Sequence, residues 1–277
     1  MSRTGQRTNL FSRGANRLGS AFIGLLDLIG GTTRLTASVG HWYWQSTSTP
    51  NTRLGWPAVV AQMVRVGVRS IGIVLLVSGC IGLILAIAMY PPLNELGQAD
   101  AIANIVGIAV FREMGPLISA VVLTGFAGAS IAAEIGTMVV GEEIEALEAQ
   151  ALDPVRFLVL PRMTATVISL LLLTVLADVM AVFCSGLISV LFFDVSAKVY
   201  LDNTIFQLNE LDFLTGLIKA TTFGLMLGAI ACFNGLKVSG GAAGVGKATT
   251  DTVVQTIVAV IVSNLIFDAV FLRIGWT

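Results

Sequence analysis

The sequence predicts an all-α membrane protein with five transmembrane helices, and three observations predict it. The chain of 277 residues is 55% hydrophobic and only 12% charged, with a mean hydropathy of +0.87. A soluble domain carries about 25% charged residues. The apolar residues also collect in long runs, and about 20 of them in a helix cross a bilayer. Residues 70–90 and 114–133 carry no charge; 163–193 contain only Asp178, 213–236 only Lys219, and 252–271 only Asp268.

The remaining composition excludes several classes. A net charge of −1 leaves no nucleic-acid footprint. Cys80, Cys184 and Cys232 each sit inside an apolar run, where cysteine packs as a small hydrophobe. They show no metal-ligand spacing with one another or with the single histidine, His41, so no metal site is expected. Residues 19–31 are interrupted by Asp27 and followed by no cleavage signal, so no removed leader is expected.

Loop charge sets the topology. Arg3, Arg7, Arg13, Arg17, Arg34, Arg53, Arg65 and Arg69 precede the first span. The loop at 91–102 has Glu95 and Asp100 and no base. The next has Arg156 and Arg162, the next is mainly acidic, and the last has Lys237 and Lys247. Basic residues favour the cytoplasm, which puts the N-terminus inside and the C-terminus outside.

Ahead of the first span, Leu18, Phe22, Leu25, Leu26 and Ile29 recur at helical spacing, with "HWYW" at 41–44. This reads as an amphipathic helix lying in the membrane interface, or as an ordinary helix packed on the spans.

The segment 101–140 would be ~60 Å long as one helix, so a break is expected at Gly115-Pro116, with Pro116 opening the main span. Arg112 and Glu113, just before it, can pair with each other. They read equally as a structural ion pair and as the polar wall of a substrate cavity. Glu134 lies near the cytoplasmic end of this span. Asp178 and Lys219 reach similar depth in spans three and four, which allows a buried pair or a proton relay. Gly128, Ala132 and Gly136, with Ala129 and Ala133, repeat every four residues and suit close helix packing, within the chain or against a second copy.

"GEEIEALEAQALDPVRFLVLPR", 141–162, holds a short amphipathic helix. Ile144, Leu147 and Ala151 share one face, and Glu142, Glu143, Glu145 and Glu148 give it a strong negative charge. Pro154 restricts Asp153 and is expected to end it. A solvated connector needs no apolar stripe, so this stretch reads as a docking surface for a cytoplasmic partner.

"GGAAGVGKATT", 240–250, fits a phosphate-binding loop until its last position, where Ala248 replaces the Mg²⁺-binding hydroxyl. No strand precedes it. It reads as a Gly-rich cytoplasmic turn, with Thr249 or Thr250 capping the fifth span, and nucleotide binding is not expected.

The stretch from "REMGP" at 112 to "LPR" at 162, together with "FNGLKVSGGAAGVGKATTDTVV" at 233–254, resembles the MlaE/YrbE permeases. These are membrane subunits of ABC transporters that work with MCE proteins in lipid trafficking. The match runs from about residue 55 to the C-terminus. It implies one permease domain over 1–277: a cytoplasmic and interfacial segment at 1–60 and a transmembrane core at 61–277, set in the inner (plasma) membrane. It also implies a coupling helix, carrying Glu142, Glu143, Glu145, Leu147, Asp153 and Pro154, that docks on a separate ABC ATPase. ATP and Mg²⁺ would belong to that partner, with no cofactor and no catalysis in this chain. A second permease copy, as a homodimer, and an MCE protein on the outer face complete the implied assembly. Arg112 and Glu113 would face its lipid cavity, with Leu93, Leu96 and Met114 as apolar neighbours for acyl chains. Many relatives have Arg where this chain has Phe126, so any role of that Arg is absent here.

A competing reading is an ion-coupled secondary transporter using Asp178, Lys219, Glu134 and Asp268. The internal inverted repeats that such folds often carry are not evident. A membrane scaffold is a third reading, and no Ser/His/Asp or His-metal set supports a hydrolase.

Overall fold

The computed structural model describes residues 4–48 and 55–276, and within the first helix the side chains at 19, 23–24 and 26–45. Arg3 and Arg53 lie outside the described residues, as do the side chains of Arg7, Arg13, Arg17, Leu18, Phe22 and Leu25. Every regular element described is helical. Helix α1 covers Thr4–Ser48. The first span joins α2 (Trp56–Val66) to α3 (Ile71–Glu95) through a 3₁₀ turn. The second joins α4 (Ile102–Ala109), α5 (Gly115–Leu123) and α6 (Ala129–Val140). Helix α7 (Glu143–Ala149) precedes the long α8 (Leu160–Phe192). Helices α9 (Ala197–Gln207), α10 (Glu210–Leu236) and α11 (Gly241–Ile274) complete the chain.

Five helical stretches are long and apolar enough to cross a membrane, and they contain the five predicted runs to within a residue at the end of the third. This is an all-α, multi-pass membrane protein. The second stretch, Ala99–Val140, has 42 residues, or ~63 Å of helix. It therefore projects beyond the ~30 Å hydrocarbon core.

That stretch does not break at Gly115-Pro116. The Gly115 amide donates to the Val110 carbonyl across a π-turn at Val110–Met114, and the helix carries on. Proline cannot donate to the preceding turn, and a π-turn absorbs that loss without ending the helix. A second π-turn, Thr124–Gly128, holds Phe126, which is 43% exposed.

Helices α8 and α10 form the centre, with α2 and α3 on one side and α6 and α11 on the other. Leu123, Ile131, Ile135, Leu170, Leu173, Phe223 and Leu227 fill the space between them and are buried. Lipid is as apolar as leucine, so close packing rather than water exclusion holds such helices together. Gly216 of α10 shows the closeness required: a Cβ there would collide with the Phe111 carbonyl.

The small-residue repeat of the second span packs within the chain. A Cβ at Gly136 would meet Val238 at 2.8 Å, and one at Gly128 would touch Thr252 and Leu227; Ala132 is buried. Ala129 and Ala133 are half-buried. Cys184 and Cys232 are buried, but Cys80 is exposed. A span that is apolar all round gives no clue to which face meets lipid.

The Gly-rich stretch is helix rather than turn. Gly240, at φ +86°, precedes the first turn of α11, and Thr249 and Thr250 donate to the Gly246 carbonyl inside the helix. Neither threonine is a cap. Gly241, at φ +70°, is left-handed as well; glycine supplies both residues of the junction at little cost, and the rest of the stretch continues as helix.

Candidate functional site

Charged side chains from three spans converge near the start of α10 and the end of α11. The π-turn turns Glu113 toward α10, where Lys219 donates to it. The same ammonium donates to Asp268 of α11 at 2.6 Å, and Asn264 donates to Glu113 at 2.8 Å. Lys219 is buried, whereas Glu113 and Asp268 are 31% and 42% exposed at their side chains. A buried ammonium costs several kcal/mol unless paired, and two carboxylates pair this one.

Arg112 turns elsewhere. It donates to the buried Asp212, whose other oxygen accepts the Asn209 amide at 2.9 Å and closes a capping box at the start of α10. A cavity of about 280 Å³ lies over the cluster. Its lining combines the charged Arg112, Glu113, Lys219 and Asp268 with the apolar Phe271, Leu272 and Trp276. Phe271 stacks on Trp276 with centroids 5.8 Å apart. The site offers charges of both signs beside an apolar wall.

Several expectations fail here. Arg112 and Glu113 do not pair with each other; neighbours on a helix point about 100° apart, and each finds a partner on α10. Asp178 does not pair with Lys219, whose ammonium is taken by Glu113 and Asp268. Asp178 is instead 2% exposed, with Oδ1 lacking a hydrogen-bond partner, packed against Gly115. Depth along a span can be counted from sequence, but rotation about its axis cannot. Leu93 is buried with Ala86, Ile102, Val106 and Ala181, and Leu96 is 74% exposed at the C-terminal end of α3. Neither lines the cavity, nor does the half-buried Met114. The sequence reading missed Asp212 and Asn264; an Asn-x-x-Asp pair opening an apolar run was a readable capping signal for the first.

At the opposite end, Glu134 binds Arg65 at 2.7 Å and Arg162 at 3.4 Å, and accepts from Ser130. It ties the first three spans together. Helix α7 follows directly. Glu142 takes the left-handed conformation, at φ +59°, before its first turn. Glu142, Glu143 and Glu145 are exposed, and Ile144 and Leu147 half-buried.

Pro154 does not end α7. The helix stops at Ala149: Leu152 donates to the Leu147 carbonyl and Ala151, at φ +59°, to the Glu148 carbonyl. This is a Schellman closure, and it takes Ala151 off the apolar stripe. Asp153 and Pro154 belong to the start of the third span. The Asp153 carboxylate accepts the Val155 amide at 2.8 Å and the Trp42 indole N–H at 3.0 Å. Arg156 lies 5.3 Å over the Trp42 ring.

The family model for the permease MlaE matches residues 59–270, most of the chain and all five spans. The chain belongs to the MlaE permease family. It is 32% identical over 247 residues to a protein of Rickettsia bellii named a probable ABC transporter permease protein, covering 88% of this chain and 95% of that one. A Rickettsia felis protein with the same name is 33% identical, over 78% and 83% of the two chains. The intermembrane phospholipid transport system permease protein MlaE of Haemophilus influenzae is 32% identical, over 82% and 87%. An MlaE permease is the membrane component of an ABC transporter, and its family is not a catalytic one.

Proposed function

We propose that this chain moves phospholipid between membranes as the permease of an ABC transporter, driven by ATP hydrolysed on a separate subunit. The N-terminus and α7 face the cytoplasm and the C-terminus faces outside. The ATPase receives the acidic, apolar-striped surface of α7, with Glu142, Glu143, Glu145 and Leu147 at its centre. Asp153 and Pro154 hold the root of that surface on the third span. An MCE protein covers the outer end. A second copy of the permease pairs with this one, and α11 offers exposed Val258, Ile261 and Leu265 for it.

The observation that carries the reading is the cavity above Lys219. A phospholipid needs charged partners for its head group and apolar walls for its chains, and this cavity supplies both within a membrane span. Arg112 brings a guanidinium suited to phosphate oxygens. Phe271, Leu272 and Trp276 supply the apolar side. The ion-coupled alternative loses its central pair, since Asp178 and Lys219 have separate surroundings.

The test is photo-crosslinking from position 272 to labelled phospholipid in vesicles carrying the assembled transporter. Phe183, which is 63% exposed on α8, reports bulk lipid. Adducts at 272 should fall when ATP is hydrolysed, and those at 183 should not change. Equal behaviour at the two positions removes the cavity from the lipid route.

A further inference from the structure

The phosphate-loop look-alike at 240–250 plays no part in the site above, yet it lines a second cavity. This one, of about 400 Å³, lies at the α7 end of the bundle between α1, α10 and α11. Its walls bring together Asp27 of α1, Lys237 just past the end of α10, and Lys247 and Asp251 of α11. The charges divide into two kinds. Lys237 donates to Asp27 across the α1–α10 contact and lies 5.5 Å from the Phe233 ring centroid. Those two neutralise each other and fix α1 in place. Lys247 and Asp251 have no ion-pair partner among the described residues.

Lys247 and Asp251 stand about one helical turn apart, about 6 Å along the axis. The lysine lies nearer the N-terminus of α11, whose first amides receive no side-chain cap. A long helix presents partial positive charge at that end and favours an anion there. Ser239 and Gly244 bring this end into the cavity wall. Gln255 lies beyond Asp251 and accepts from Asn234 through its carbonyl oxygen, which leaves its amide protons free to donate. The cavity thus has an anion-accepting end and, one turn on, an unpaired carboxylate. Ile23, Leu26 and Ile29 of the adjoining α1 are exposed, an apolar face beside the cavity that suits contact with lipid.

We propose that this cavity binds the head group of a zwitterionic phospholipid, a phosphate ester carrying a primary ammonium. The phosphate meets Lys247 and the N-terminus of α11, and the ammonium meets Asp251. The lipid comes from the leaflet on the α7 side, and the proposal takes that leaflet and the lipid cargo from the function proposed above. A free phosphate or a nucleotide shares the anion chemistry, but neither offers a cation to Asp251.

The experiment places a photo-crosslinker at Leu28, on the cavity wall, in the full-length chain in vesicles, with Ile23 as the bulk-lipid control. The probe is a photo-stable, isotope-labelled phosphatidylethanolamine, and phosphatidylglycerol is the comparison. The adduct at 28 should form with the ethanolamine lipid and fall about tenfold in Lys247→Gln combined with Asp251→Asn, as expected when a charge-assisted contact is lost. Lys247→Arg should keep it, and the adduct at 23 should not respond to any of these changes. Equal labelling by phosphatidylglycerol, unchanged labelling in the double variant, or loss of the adduct to millimolar inorganic phosphate or ATP would each overturn the proposal. Adducts at 272 but none at 28 would remove this site and leave the proposed function standing. Absence of ATP-sensitive adducts at 272 would count against that function instead.

Discussion

Lys219 and Asp268 join α10 to α11 through a 2.6 Å ion pair whose cationic partner is buried. It is the one ion pair between these two helices among the described residues. The two carboxylates around Lys219 are not equivalent to it, because both are partly exposed and it is not. Lys219→Met should therefore cost more stability than Asp268→Asn. Removing the lysine leaves two carboxylates facing each other, whereas removing Asp268 leaves the Glu113 pair intact. Breaking a buried pair costs about 3–5 kcal/mol, and the exposure of Asp268 places its loss well below that. Melting temperatures of the purified permease should rank wild type, then Asp268→Asn, then Lys219→Met. The reverse order would mean that Lys219 is not held by these two carboxylates.

Arg112 has a different test, because its partner is Asp212 rather than Glu113. Exchanging Arg112 with Glu113 would set a carboxylate against Asp212 and a guanidinium against Lys219, since the two face different side chains. Exchanging Arg112 with Asp212 keeps one. Arg112→Asp with Asp212→Arg should recover expression relative to either single variant. Transport should remain at least about tenfold low if the cation must sit on the second span to meet phosphate. Full recovery of transport would make Arg112 a purely structural partner.

The five spans were legible because apolar runs of bilayer length have few alternatives, and Arg112, Glu113 and Glu134 stood out as charges in or beside those runs. The partners were not legible. Lys219 meets Glu113, 106 residues away, and Asp268, 49 away. Which of three acidic residues it meets depends on the rotation of each helix, and spans that are apolar all round carry no moment to fix it. Each of the two π-turns in the second span also rotates the helix beyond it, and no residue pattern announces a π-turn. Helix α7 was readable as an amphipathic stripe, but its end was not: Ala151 holds a left-handed position that sequence statistics assign to glycine.

That alanine gives a prediction. A left-handed alanine costs about 1–2 kcal/mol, so Ala151→Gly should raise stability slightly or leave it unchanged. Ala151→Val should lower it clearly, since a β-branched residue fits that region worst. Thermal unfolding of the three proteins decides this. Equal stability of the valine and glycine variants would mean α7 closes in another way.

Leu147 tests the proposed ATPase contact. It is half-buried on α7, so a charge there leaves the helix free to form while spoiling an apolar contact with a docked subunit. Leu147→Asp should reduce ATPase co-purification by at least about tenfold, with membrane insertion of the permease unchanged. Normal recovery of the complex would remove α7 from the interface.

Gly115 and Asp178 meet where the second and third spans are closest to the π-turn. A Cβ on Gly115 would collide with the Asp178 carboxylate and lie 3.2 Å from the Val110 carbonyl. The carboxyl has little room to yield, because Asp178 is 2% exposed. Gly115→Ala alone should therefore lower stability, by about 1–3 kcal/mol for an overpacked site. Asp178→Ala removes the obstructing atoms together with a buried polar group whose Oδ1 has no partner, so alone it should cost little or stabilise. In the double variant the new methyl enters space vacated by the carboxyl, and most of the loss should return. The coupling energy of this cycle should favour the double variant and exceed about 1 kcal/mol, well above the additivity error for independent sites. Thermal unfolding of the four proteins in one detergent measures it. Additive losses would mean that Gly115 is required by the π-turn backbone rather than by Asp178.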